Sequence, residues 1–69
     1  MRAIIITPEI AVLVSDPVFE NGATYQLAPF ILPDGRMALP SGIMDMPVYS
    51  RYFSILEKCE IIEVTDETN

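Results

Sequence analysis

Apolar positions follow three different rhythms along this chain. From Arg2 to Thr7 the residues are mostly β-branched, and after Pro8-Glu9 a second apolar run covers Ile10 to Ser15. Short continuous runs of isoleucine and valine predict strands, so this region reads as two strands or as one strand broken at a bulge. Pro8 has no N–H to give to a ladder, which places whichever strand carries it at a sheet edge. From Ala23 to Leu27 the rhythm is strict alternation, with Ala23, Tyr25 and Leu27 on one side and Thr24 and Gln26 on the other. That is the pattern of a half-buried strand. From Val48 the rhythm changes to helical spacing: Val48, Tyr49, Tyr52, Phe53 and Leu56 take one face, and Ser50, Arg51, Ser54, Glu57 and Lys58 take the other. Asp45 is placed to cap a helix of about three turns, with Pro47 in the first turn where its missing N–H costs nothing. Glu60 to Val64 then closes the structured chain as a strand, and residues 65–69 form a frayed acidic tail.

Turn chemistry separates these rhythms. Asp16-Pro17 and Glu20-Asn21-Gly22 mark a reversal, because Asx side chains bond nearby backbone and Asn-Gly tolerates positive φ. A second hairpin is predicted where Phe30, Ile31 and Leu32 meet Pro33-Asp34-Gly35 and continue into Arg36 to Leu39. Pro29 and Pro40 flank its strands, so residues 29–39 read equally well as an exposed β-arm or as part of the core. The predicted fold is therefore α+β: a single domain over residues 1–64, a small β-rich module of about four or five short antiparallel strands, with one C-terminal helix before the last strand. An SH3-like arrangement is the narrower form of that expectation. Its core is expected to include Val48, Tyr49, Tyr52, Phe53, Leu56, Ile62 and Val64.

Composition bears on how such a fold is held together. With 69 residues, a core alone seldom supplies more than roughly 3–5 kcal/mol. Cys59 is the sole cysteine and histidine is absent, which excludes an intrachain disulfide and a Cys/His zinc site. Oligomerisation is the remaining support. Apolar residues make up 51% of the chain and charged ones 20%, a balance too hydrophobic for disorder and one that leaves apolar surface for a partner. The net charge of −6 argues against phosphate-mediated contact with nucleic acid, while an acidic protein can meet a basic protein surface or compete with nucleic acid for one. Its longest apolar run, Ile10 to Val14, is far too short to span a bilayer, so a soluble product made in the cytoplasm is expected.

Candidate chemistry is sparse. Asp16, Glu20, Asp34 and Asp45 are turn carboxylates whose spacing matches no calcium loop, and solvation accounts for them. Cys59 lacks both a histidine partner and a helix N-terminus to stabilise a thiolate, which leaves it a structural role. Gly35 belongs to a turn and not to a phosphate loop, since no GxGxxG or GxxxxGK pattern is present. The aromatic residues are not interleaved with basic ones, as a base-stacking platform would require. No catalytic residue, metal, cofactor or small-molecule substrate is expected. What remains is a contact surface: the methionines Met37, Met44 and Met46 suit adaptable protein interfaces. Together with Phe30, Ile31, Leu32 and Leu39 they form the expected partner-contact set.

The region from Tyr49 to Val64 also resembles the end of a family of very short proteins encoded in the tail gene clusters of Mu-like phages and prophages. Asp16-Pro17 resembles that family's first turn, and Leu39-Pro40-Ser41-Gly42 resembles its Leu-Pro-x-Gly step. Arg51 between Tyr49 and Tyr52 stands at its aromatic-Arg helix, and Glu60 to Val64 at its closing strand. Residues 23–38 have no counterpart in the pattern, and Lys58-Cys59 replaces its Asp-Gly. The resemblance implies a setting, the virion of a tailed phage, and carries no catalytic residues. The expectation is an accessory structural protein of the tail, neck or head that packs against phage structural proteins or copies of itself. A small acidic inhibitor of a host enzyme or regulator is the alternative, and neither contacts nucleic acid or membrane.

Overall fold

The computed structural model describes residues 1–65 and shows a small α+β fold with six strands in two antiparallel sheets. The expected acidic tail falls mainly on residues 66–69, outside the described part. The larger sheet is built on β1 (Arg2–Ile6), which pairs with β5 (Met37–Pro40) on one side and β6 (Ile61–Glu63) on the other. A short β4 (Phe30–Ile31) completes the order β4-β5-β1-β6. Its strands are in register at Ile4↔Leu39, Ile5↔Ala38, Ala3↔Ile62 and Phe30↔Ala38.

Period-two alternation gives this sheet two apolar faces. Ile4, Ile6 and Leu39 point into the main core, where they meet Val14, Val18, Leu27, Ile43, Tyr49, Tyr52 and Leu56. Ala3 and Ala38 point the other way and are fully buried beneath Leu32, with Ile5, Phe30, Ile62 and Val64 around them. Among the described residues no helical residue belongs to this second cluster, and the molecule measures only 16 Å along its shortest axis. The turn at residues 32–36 and the segment at residues 62–65 share one cleft, so the hairpin's own turn supplies its cover.

The second apolar run is a helix and not the expected strand: α1 spans Pro8–Val14. Thr7 caps it, its Oγ1 accepting the Ile10 N–H at 3.2 Å, and Pro8 enters the first turn where an N–H has no partner in any case. Ala11 and Val14, three residues apart, face the core, while Val12 and Leu13 face solvent. At the far end Ser15 donates to the Ala11 carbonyl through both its N–H (3.1 Å) and its hydroxyl (2.6 Å). Capping chemistry and i, i+3 burial outweigh the strand preference of the β-branched residues. Pro8 is thus a helix-starting residue and marks no sheet edge.

Beyond α1 the chain forms a separate hairpin of β2 (Val18–Glu20) and β3 (Ala23–Tyr25). Asn21 (φ 54°) and Gly22 (φ 79°) make its two-residue turn, the positive-φ pair that matches strand twist. Gln26 Nε2 donates to the Ser15 carbonyl at 2.7 Å and ties the end of the hairpin to the end of α1.

Helical structure in the C-terminal third is broken into short pieces. A 3-10 helix covers Ser41–Asp45, a second covers Pro47–Tyr52, and α2 is the single turn Phe53–Leu56. Asp45 is not an N-cap; Met46 holds that place with extended backbone and no side-chain bond. Tyr49 N–H bonds the carbonyl of Met46, three residues back, at 3.0 Å. The segment kinks at Tyr49 (φ −100°, ψ 16°), and Tyr49 and Tyr52, three residues apart, both enter the core. The predicted apolar face is otherwise observed, with Leu56 fully buried and Val48 and Phe53 half-buried against the same cluster.

Candidate functional site

A cleft of about 370 Å³ lies between the β2–β3 turn and the junction of the two 3-10 helices. Tyr25, Val48, Pro47 and Met46 supply its apolar lining, and Glu20, Asn21 and Asp45 its polar lining. The local sequence explains each position. Tyr25 lies on the inner side of β3 opposite Val18 and packs edge-on against Tyr49, with ring centroids 6.5 Å apart and planes at 88°. Tyr52 donates its hydroxyl to the Asp16 carbonyl at 3.2 Å, which holds the helical segment to the turn before the hairpin. Met46 is extended (φ −107°, ψ 107°) because Pro47 starts a new helix, and the break turns its side chain outward.

No basic residue lines this cleft, so the two carboxylates of Glu20 and Asp45 border an aromatic and thioether lining without a counter-ion in it. Such a lining suits a long cationic side chain whose stem packs on Tyr25 and Met46 and whose head meets the acids. Among the described residues no group of three or more potential metal-ligating side chains comes together. Cys59 is half-buried, with its thiol directed to the Ile55 carbonyl at 3.6 Å.

The expected contact set divides by burial. Ile31 and Met46 are exposed, and Phe30, Met37 and Met44 are half-buried. Leu32 and Leu39 are core residues: Leu32 covers Ala3 and Ala38, and Leu39 is fully enclosed beside Ile4. Neither presents a side chain to a partner. The 29–39 segment is therefore no free arm, because β5 is an inner strand of the main sheet and β4 pairs with it. The structure does not gather the set on one surface: Met46 lies in the cleft, whereas Ile31 lies on edge strand β4.

Several exposed apolar side chains fall outside the expected set. Val12 and Phe19 are each 73% exposed, and Leu13 and Ile61 are exposed as well. Phe19 faces outward beside inward Val18 on β2, a strand not expected from the sequence, and Val12 and Leu13 follow once α1 is recognised as a helix.

At the tip of the β4–β5 hairpin, Asp34 Oδ1 accepts the Arg36 N–H at 3.1 Å and Oδ2 pairs with the guanidinium at 2.8 Å. The backbone N–H of Arg36 first, and its guanidinium second, hold the Asp34 carboxyl below the ordinary aspartate range. No helix among the described residues is long and apolar enough to cross a membrane. The chain matches no family model, no curated protein and no solved structure.

Proposed function

We propose that this chain is a non-enzymatic accessory structural protein of a tailed-phage virion, placed in the tail, neck or head and acting by packing in a multi-copy assembly. The observation that supports it most is the set of exposed apolar side chains Val12, Leu13, Phe19 and Ile31 on a fold this small, surface that packing against neighbours would bury. The resemblance at Asp16-Pro17, Leu39-Pro40-Ser41-Gly42 and Tyr49 to Val64 supplies the setting. The narrower fold reading, an SH3-like module, belongs to the same proposal and rests on the many short antiparallel strands.

Mass spectrometry and imaging of purified particles test this. Many copies on a ring of the particle support the proposal. Absence from particles, together with a stable monomer in light scattering, overturns it.

A second reading is favoured by the acid-bordered cleft at Glu20 and Asp45: a small inhibitor that offers carboxylates to a basic groove on a host enzyme or regulator. One stoichiometric host partner recovered from lysate, lost on the double substitution Glu20→Gln and Asp45→Asn, favours it over the virion role.

A further inference from the structure

The four-stranded sheet ends in two different edges. At β4 the ladder bonds run through Phe30, paired with Ala38, and through Leu32, whose N–H reaches the Arg36 carbonyl at 2.8 Å. Outward-facing backbone groups therefore belong to residues 29, 31 and 33. Pro29 and Pro33 have no N–H, so Ile31 alone of the three can donate to an added strand. That edge is closed by its own sequence.

Among the described residues the β6 edge has no such block. Ile5 donates to the Glu60 carbonyl at 2.8 Å, Val64 donates to the Met1 carbonyl at 2.7 Å, and Ala3 stands opposite Ile62. These bonded pairs turn the N–H and C=O groups of Ile61 and Glu63 away from β1. Ile61 is 45% exposed, and the Glu63 side chain is 71% exposed even while it accepts the Met1 ammonium at 3.1 Å. Glu60 is exposed beside them. A second copy is a weaker occupant: antiparallel pairing of β6 with itself about Ile62 sets Glu63 opposite Ile61 and Glu60 opposite Val64, so the acids of neither chain meet a basic side chain.

Charge and pattern together select another occupant. We infer that β6 receives an extended segment of a different, basic protein as an added strand. The segment's basic side chains face Glu60 and Glu63, and its apolar side chains lie beside Ile61, Ile62 and Val64. On the second face, Ile62, Glu63 and Val64 line a cleft of about 310 Å³ shared with Leu32, Pro33, Asp34 and Arg36. A side chain opposite Ile62 or Val64 projects on that same face and adjoins it. Run antiparallel to β6, the complementary sequence is apolar-basic-apolar-apolar-basic.

This inference deepens the reading of the chain as a packing module and rests on it, yet it is tested apart from the virion setting. Particle composition decides the setting, whereas binding of a defined peptide decides the edge. The probe is an end-blocked peptide, Gly-Val-Lys-Val-Val-Lys-Gly, titrated into the full chain labelled with nitrogen-15. The amide signals of Ile61 and Glu63 are expected to shift most, and their hydrogen exchange to slow at least tenfold. Replacing both lysines by glutamate should weaken binding at least tenfold, and methylating alternate backbone nitrogens of the peptide should abolish it without altering the protein. Ile61→Pro, which removes an outward N–H together with the Ile61 side chain, should also abolish binding while the dispersed spectrum is kept. Equal binding of the glutamate or methylated peptide, or shifts centred on Tyr25 and Met46 instead of β6, overturns the inference.

Discussion

Asp34 shows how a single residue is set by its neighbours two positions on. Its carboxylate is stabilised first by the Arg36 backbone N–H and then by the guanidinium, so the folded group titrates below the unfolded one. A depressed carboxyl contributes stability above its unfolded value and loses it as pH falls through the folded value, which places any effect at acid pH, below the ordinary aspartate range. A carbon-13 titration is expected to give a low midpoint for Asp34. In Arg36→Ala only part of that depression should disappear, because the larger cause is the backbone N–H that alanine keeps. A deeper side chain behaves differently: Tyr52→Phe removes the hydroxyl bond to Asp16 from a part-buried site and should cost about 1 kcal/mol in urea unfolding. Gly22 sits at φ 79° with open space around it, so Gly22→Ala is opposed by backbone strain and not by a clash, and about 1 kcal/mol of destabilisation is expected by the same measurement.

Among the elements, α1 separates what the sequence discloses from what it hides. Its apolar run is rich in isoleucine and valine, and by local preference alone it is a strand. The determining residues are Thr7 and Pro8, a cap and a first-turn proline, with burial of Ala11 and Val14 three residues apart. Thr7→Ala should therefore cost about 1 kcal/mol, seen as a lower urea midpoint with an unchanged slope. By contrast, the Asn21-Gly22 turn, the Ala23–Tyr25 strand, both partners of the β4–β5 hairpin and the closing strand were legible, since turn chemistry and alternation are local signals. The C-terminal helix was legible in its buried face and not in its winding. Whether Tyr49 bonds three or four residues back depends on Pro47 and on how the two tyrosines meet the core, which no periodicity reports. The contact set was least legible. Leu32 and Leu39 look like the apolar residues of an arm until β5 is known to lie between β4 and β1, a pairing between residues more than thirty positions apart.

For the whole molecule, stability is concentrated in few side chains. Ile4, Leu39, Leu56 and Val14 are the largest fully buried residues. Leu39→Ala removes about 2–5 kcal/mol, comparable to the roughly 3–5 kcal/mol that a core of this size supplies. The variant is expected to be largely unfolded at 25 °C by circular dichroism. Phe19→Ser, on the outer side of the hairpin, should leave the urea midpoint unchanged and alter only self-association, read by sedimentation. Opposite outcomes for these two apolar residues would follow from burial alone, since the sequence gives no other reason to rank them.

The position of β1 has a consequence for synthesis. It leaves the ribosome before both of its neighbours in the sheet, residues 37–40 and 61–63, and its ammonium end is held by Glu63 and the Val64 carbonyl. The isoleucines of β1 therefore stay without their full sheet until residues 61–63 have been made, and the sheet closes only once they have emerged. A C-terminal extension long enough to carry Val64 clear of the exit tunnel would let the nascent chain fold while still tethered, and a short one would hold it open to chaperones.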